Sequence, residues 1–208
     1  MEELLKKGQF KEIEKKLLFQ LEEEKNNINL LLKLAMVRLQ YPFEDEETSI
    51  KYLNQVLQIE PYHFQALVIK MYLQNYYYGE MDEDFGKLLD YDWKTNYNKA
   101  IVYYIRSWQF SWWKNVNEGK KIEWLKKSIE VYPYFVYPYE KLGSLYLKRD
   151  DLKNAQKYYQ YALKNVISTD FLFDDSINPQ AFIDEYITGV KLSSINYNSL
   201  REKAFMQI

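Results

Sequence analysis

Cysteine is absent from the 208 residues and histidine occurs once, as His63. The first absence excludes a disulfide scaffold, a thiolate metal site and a cysteine nucleophile. The second leaves a single imidazole to serve any histidine-based metal site or Ser-His-Asp arrangement. Glycine (6) and proline (5) are scarce, which suits helices with few interruptions. Neither sign of charge dominates: 28 basic against 30 acidic side chains give a net charge of -2, so the broad basic field of a phosphate-backbone binder is missing and nucleic acid is not expected as a partner. No apolar run approaches the ~20 residues that cross a bilayer. The most aliphatic stretch, Ile28 to Leu39, is broken by Asn29, Lys33 and Arg38. The opening MEELLKKGQFKEIEKK is charged throughout, unlike a secretory signal. A cytoplasmic protein with no membrane partner is the expectation, and heavy use of Lys, Asn, Ile and Tyr points to a bacterium.

Motifs for chemistry are missing as well. The acidic runs Glu44-Asp45-Glu46-Glu47 and Glu80-Met81-Asp82-Glu83-Asp84 lack the alternating ligands, glycine and distant glutamate of a calcium loop. They read as solvated turns with acids at helix starts. Gly86-Lys87 and Gly119-Lys120-Lys121 lack the rest of a phosphate loop. His63 follows Pro61-Tyr62 at a junction, where an imidazole bonds a helix terminus or packs on a ring. Lys120, Lys121, Lys126 and Lys127 fall opposite Ile122, Trp124, Leu125 and Ile129 on one helix, the pattern of an ordinary surface helix. No metal, no cofactor and no catalytic residue is assigned, and the chain is read as a non-enzyme.

What the chain has is aromatics, at 18%, and an internal repeat. Tyr139, Leu142, Gly143 and Tyr146 are spaced aromatic-x2-Leu-Gly-x2-Tyr, and Ala155, Tyr159 and Ala162 follow the turn Arg149-Asp150-Asp151. Small residues at Gly143, Ala155 and Ala162 let two antiparallel helices approach, while Leu142, Tyr146 and Tyr159 fill the space between them. Pro61 and Pro133 end similar phrases, Tyr52-Leu53-x2-Val56-Leu57 and Trp124-Leu125-x2-Ser128-Ile129. Two units of ~34 residues fall about four short of the separation of these prolines, so an extra half-loop is placed at Tyr91 to Asn98.

These spacings resemble the tetratricopeptide repeat (TPR) family over about two thirds of the chain. The register projects four hairpins, near Leu30 to His63, Phe64 to Ile101, Val102 to Phe135 and Val136 to Thr169. The second is degenerate, with a short second helix around Phe85 to Asp90. Residues 1–29 read as an N-terminal helical cap, formed by a helix over Leu4 to Glu24 or a partial hairpin broken at Gly8. Residues 170–208 read as C-terminal capping helices: one starts at Asn178-Pro179 and runs to about Thr188, and another starts at the capping-box pattern Ser199-Leu200-Arg201-Glu202. The expected fold is all-α, a tetratricopeptide-like right-handed superhelix of helical hairpins with helical caps at both ends.

The resemblance implies a groove lined by the first helix of each hairpin and a protein-binding function. Carried onto this chain, the lining is Leu31, Leu34, Arg38 and Tyr41; Gln65, Val68, Tyr72 and Asn75; Tyr103, Arg106, Phe110 and Trp113; and Tyr137, Glu140, Ser144 and Leu147. Arg38, Tyr72, Asn75, Tyr103, Arg106, Phe110, Trp113, Tyr137 and Glu140 are the candidate partner contacts, because Arg and large aromatics dominate binding energy. The lysine and asparagine clamp of co-chaperone relatives is not found here. Two readings stay open: the rings meet a partner, or the terminal helices fold into the groove and fill it. Size, composition and the absent signal suit, by analogy of type, a bacterial immunity protein that binds a cognate toxin, its acidic turns meeting a basic nuclease. The alternative is a peptide-binding adaptor or regulatory scaffold.

Overall fold

The computed structural model describes residues 1–40, 42–78, 83–109, 117–168 and 176–206. Its helices are α1 (Glu2–Lys6), α2 (Phe10–Glu23), α3 (Ile28–Arg38), α4 (Glu46–Ile59), α5 (Phe64–Leu73), α6 (Glu83–Asp90), α7 (Asn96–Trp108), α8 (Glu118–Val131), α9 (Tyr137–Leu147), α10 (Leu152–Asn165), α11 (Pro179–Phe182) and α12 (Ser194–Ala204). Single π-helical turns extend α5 (Gln74–Tyr78) and α11 (Ile183–Ile187), and two short strands, β1 (Ile167–Ser168) and β2 (Lys191–Leu192), pair in parallel.

Side-chain caps start most of these helices. The carboxylates of Asp45 and Asp151, the amides of Asn27 and Asn117, and the Thr95 hydroxyl each accept a backbone N–H three residues on. Because Thr95 caps α7, the third hairpin begins at Asn96 and not at Val102, and the extra connection is confined to residues 91–95. The final helix also starts early. Ser193 caps it through the Asn196 N–H, so Ser199 of the apparent capping box lies inside α12.

The chain divides into two units, Met1–Leu88 with Phe171–Ile183, and Leu89–Asp170 with Asp184–Ile208. In the first, α2 packs on α3, α3 on α4 and α4 on α5. Leu31, Leu34, Leu53, Val56, Leu67 and Ile69 are at most 1% exposed, which makes α3 and α5 core elements on nearly every side. In the second unit α7 pairs with α8 and α9 with α10, and α12 lies on α10. Leu200 and Ala204 of α12 join Val136, Ala155, Tyr159 and Ala162 in one buried cluster. Tyr104, Leu125, Leu142 and Leu145 form a second. The Ser128 hydroxyl donates to the Ala100 carbonyl at 2.8 Å, which a small polar residue in the α7–α8 crossing makes possible.

Candidate functional site

The single histidine is used structurally. His63 Nδ1 accepts the Ala66 N–H at 3.3 Å as the cap of α5, and burial lowers its pKa, keeping the imidazole in the neutral form that can accept. Asp45 is likewise spent on the Thr48 N–H, and the hydrogen bonds from Thr48 hold its carboxyl below the usual range. Among the described residues no group of three or more His, Asp or Glu stands close enough to hold a metal ion. None of the helices described is long and apolar enough to cross a membrane. A solvent-open cavity of ≈ 520 Å³ in the first unit takes its polar lining from Asn29, Lys33, Gln65 and Asn178, so its side chains offer amides and an amine without a carboxylate.

On the first helices of the hairpins, Leu31, Leu34 and Val68 are buried core and present no surface. Arg38 Nη2 pairs with Glu14 of α2 and Nη1 lies 3.6 Å from Asp45, with the guanidinium 4.6 Å over the Phe43 ring. It braces three segments of its own unit. Tyr72 stacks on Tyr76 at 5.7 Å and meets the edge of Phe182 at 5.4 Å. Asn75 falls in the π-helical turn, and its Oδ1 is buried with no hydrogen-bond partner among the described residues. In the second unit Tyr103 lies against Trp124 at 5.5 Å. Arg106 Cζ stands 4.8 Å over that same indole, while its Nη2 donates to the Leu89 carbonyl at 3.3 Å and lies 3.5 Å from Asp90. Lys127 covers Trp124 at 4.2 Å. Glu140 pairs with Lys203 of α12 at 3.2 Å. Phe110 and Trp113, like Tyr41, lie outside the described residues.

The residues that sequence reasoning missed belong to the C-terminal segment that follows the last hairpin. In the first unit, α11 packs on α3 and α5. Gln40 Nε2 donates to the Ser176 carbonyl at 3.1 Å, and Gln65 Nε2 donates to Gln180 at 3.2 Å. Asn178 caps this helix and Pro179 fills its first turn, where a missing N–H costs nothing. In the second unit the continuation lies on the start of α9. The Thr188 carbonyl accepts from both the Val136 and Tyr137 N–H groups, at 2.9 and 3.1 Å, satisfying donors that a helix N-terminus leaves orphaned. Tyr137 Oη donates to the Glu185 carbonyl at 2.8 Å. Gly189 adopts φ +70°, and a Cβ there would sit 2.9 Å from the Tyr137 ring, so glycine is needed for both the turn and the close approach. The Ile167 N–H then donates to the Val190 carbonyl at 2.8 Å. In each unit, first-helix surface is thus occupied by the chain itself.

This arrangement sets two pKa values. Tyr137 is driven well above the usual phenol range, first by burial and then by the charges of Glu140, Glu185 and Tyr186. Burial lifts the Glu185 carboxyl from 4.5 to about 7. An acid whose folded pKa is raised contributes most below its unfolded value, and stability falls as pH rises through the folded one. Between about pH 5 and pH 8 the melting temperature should therefore drop further in the parent chain than in Glu185→Gln, and the variant should be the more stable at the upper end. Parallel pH dependences in thermal unfolding would place this carboxyl in water.

No protein-family model and no curated protein matches the sequence. Among solved structures, MamA from residue 41 to its end, from Desulfovibrio magneticus RS-1, is similar with a TM-score of 0.54 at 18% identity, over 78% of this chain and 89% of that one. MamA contains tetratricopeptide repeats. The likeness shows the fold: all-α and tetratricopeptide-like, built from helical hairpins.

Proposed function

We propose that this chain is a non-catalytic protein-binding module whose ligand is a folded partner, and that it acts as a bacterial immunity-type protein, neutralising a cognate toxin by occlusion in the cytoplasm. The observation that carries this reading is the occupation of first-helix surface by residues 176–192. An adaptor for extended peptides needs that surface open. Here a peptide would first have to replace the Gln65, Tyr72 and Tyr137 contacts with the chain's own segment. A folded partner can instead meet what remains half-exposed. Tyr103, Arg106 and the Trp124 between Arg106 and Lys127 make a rigid cationic-aromatic surface, the composition on which binding energy concentrates. Phe110 and Trp113 follow Arg106 in sequence and belong to the same proposal.

Affinity capture of the tagged chain from its native cells, with quantitative mass spectrometry, tests it. One stoichiometric partner, toxic when expressed alone and silenced by this chain, is the expected outcome. Arg106→Ala should weaken that capture by about tenfold or more with helix content unchanged. Several substoichiometric partners would instead favour the peptide adaptor, and capture of nothing would contradict both.

A further inference from the structure

Helices α7 and α8 are antiparallel, as are α8 and α9, so the last turns of α7 and α9 meet the first turns of α8 at one end of the second unit. Lysines run from that end to the middle of α9. Lys121 stands in the first turn of α8, while Lys141 and Lys148 lie two turns apart and so on one side of α9. Several other lysines have a carboxylate of their own: Lys6 has Glu2, Lys7 has Glu3, Lys127 has Glu123 and Lys203 has Glu140. At this end the nearby acid is taken. Arg149 holds Glu118 with Nε at 3.0 Å and Nη2 at 2.5 Å. Arg106 is turned to Trp124 and Asp90. Lys141 stands 5.9 Å from the Tyr137 ring, and no carboxylate among the described residues pairs with Lys121, Lys141 or Lys148.

The cluster is felt by its own members. Lys121 is half-buried, and its ammonium is held below the ordinary lysine value, first by burial, then by Lys141 and Lys148, with Glu118 opposing them. Like charges gathered around one carboxylate that Arg149 already holds raise the free energy of the isolated chain, and an incoming anion relieves that repulsion.

We infer that this end of the second unit is the docking surface for an acidic segment of the protein partner, with its carboxylates meeting Lys121, Lys141 and Lys148. A protein ligand is favoured over nucleic acid because Asp150 and Asp151 follow Lys148-Arg149, whose arginine is already held by Glu118, and would repel a continuous phosphate track. The inference rests on the protein-binding reading and reverses one expectation drawn from the acidic turns, since it calls for negative charge on the partner.

The test is fluorescence anisotropy of a labelled oligoglutamate peptide against the full chain. Saturable binding that weakens with added salt is expected. The variant Lys121→Ser, Lys141→Ser, Lys148→Ser should lose about tenfold or more in affinity, whereas Lys15→Ser with Lys16→Ser on α2 should lose none. The triple variant should melt at or above the parent temperature, because repulsion has been removed, which separates a binding role from a structural one. A clear fall in melting temperature, peptide binding that ignores the triple variant, or tighter binding of single-stranded DNA of equal charge would each overturn the inference. Failure of the broader reading looks different. A stoichiometric partner captured equally by the triple variant would remove this surface and leave protein binding in place. Peptide binding without any captured partner would do the reverse.

Discussion

Replacing Asp84 with asparagine should destabilise the protein by about 3–5 kcal/mol, the largest single effect expected here. Asp84 receives Lys70 Nζ at 2.5 Å and Lys87 Nζ at 2.6 Å, and the side chains of Lys70 and Asp84 are only 7% and 10% exposed. A charge of that kind is tolerated because its counter-charge arrives with it. An amide keeps the shape and takes away the anion that meets both ammoniums, one of them deep in α5. Lys87 is 39% exposed, and Lys87→Ala should cost no more than ~1 kcal/mol. The double change Lys70→Met with Asp84→Leu should recover most of the loss, since apolar pairs of similar volume often replace buried ion pairs at little cost. Urea unfolding of the four proteins checks the set. Equal stability of Asp84→Asn and the parent would mean that water reaches the pair.

Gly143→Leu is expected to cost ~1–3 kcal/mol or more. A Cβ at this position would lie 2.8 Å from Cε1 and 2.9 Å from Cδ1 of Tyr159. Tyr159 cannot yield easily: it is 1% exposed and its hydroxyl lies 3.1 Å from Ser144 Oγ. Gly143→Ala sets the same clash against the better helix propensity of alanine, so its loss should be smaller. Combining Gly143→Ala with Tyr159→Leu should cost less than the two single changes added together, because the residues share one crossing. Unchanged thermal unfolding in Gly143→Leu would contradict the close approach of α9 and α10.

These two sites also show what a sequence discloses. The Gly143–Tyr159 crossing was legible because local spacing alone puts a glycine, two alanines and a tyrosine on facing sides of a hairpin. The Lys70–Asp84 pair was not, since Lys70 interrupts an apolar helix and reads as a solvent-facing residue until its partner on α6 is known. The C-terminal segment was hidden for a related reason. Its contacts run through side-chain amides at Gln40, Gln65 and Gln180, and through the Thr188 and Glu185 carbonyls, none of which makes a periodic pattern. Sequence left open whether terminal residues fill the groove, and only long-range contacts decide that. Ser199 misled because its Glu202 follows at capping-box spacing, whereas Ser193 takes the cap with an asparagine three residues on. For the candidate site, the tetratricopeptide resemblance implied Tyr103, Arg106 and Tyr137 on the first helices of their hairpins, and they lie in α7 and α9. It carried no information that Arg38 and Glu140 are held by Glu14 and Lys203.

Occupation of first-helix surface by the chain's own C-terminal segment is the claim on which the choice of a folded partner depends. Hydrogen exchange on the isolated protein, followed amide by amide, tests it most directly. The Val136 and Tyr137 N–H groups have the Thr188 carbonyl as acceptor, and Ile167 has that of Val190. With the segment in place these three amides should exchange slowly, close to the rate of amides within α9, and Gly189→Ala should release them. Exchange of all three as fast as in an unstructured chain would mean that the surface is open, and would return the peptide adaptor to first place.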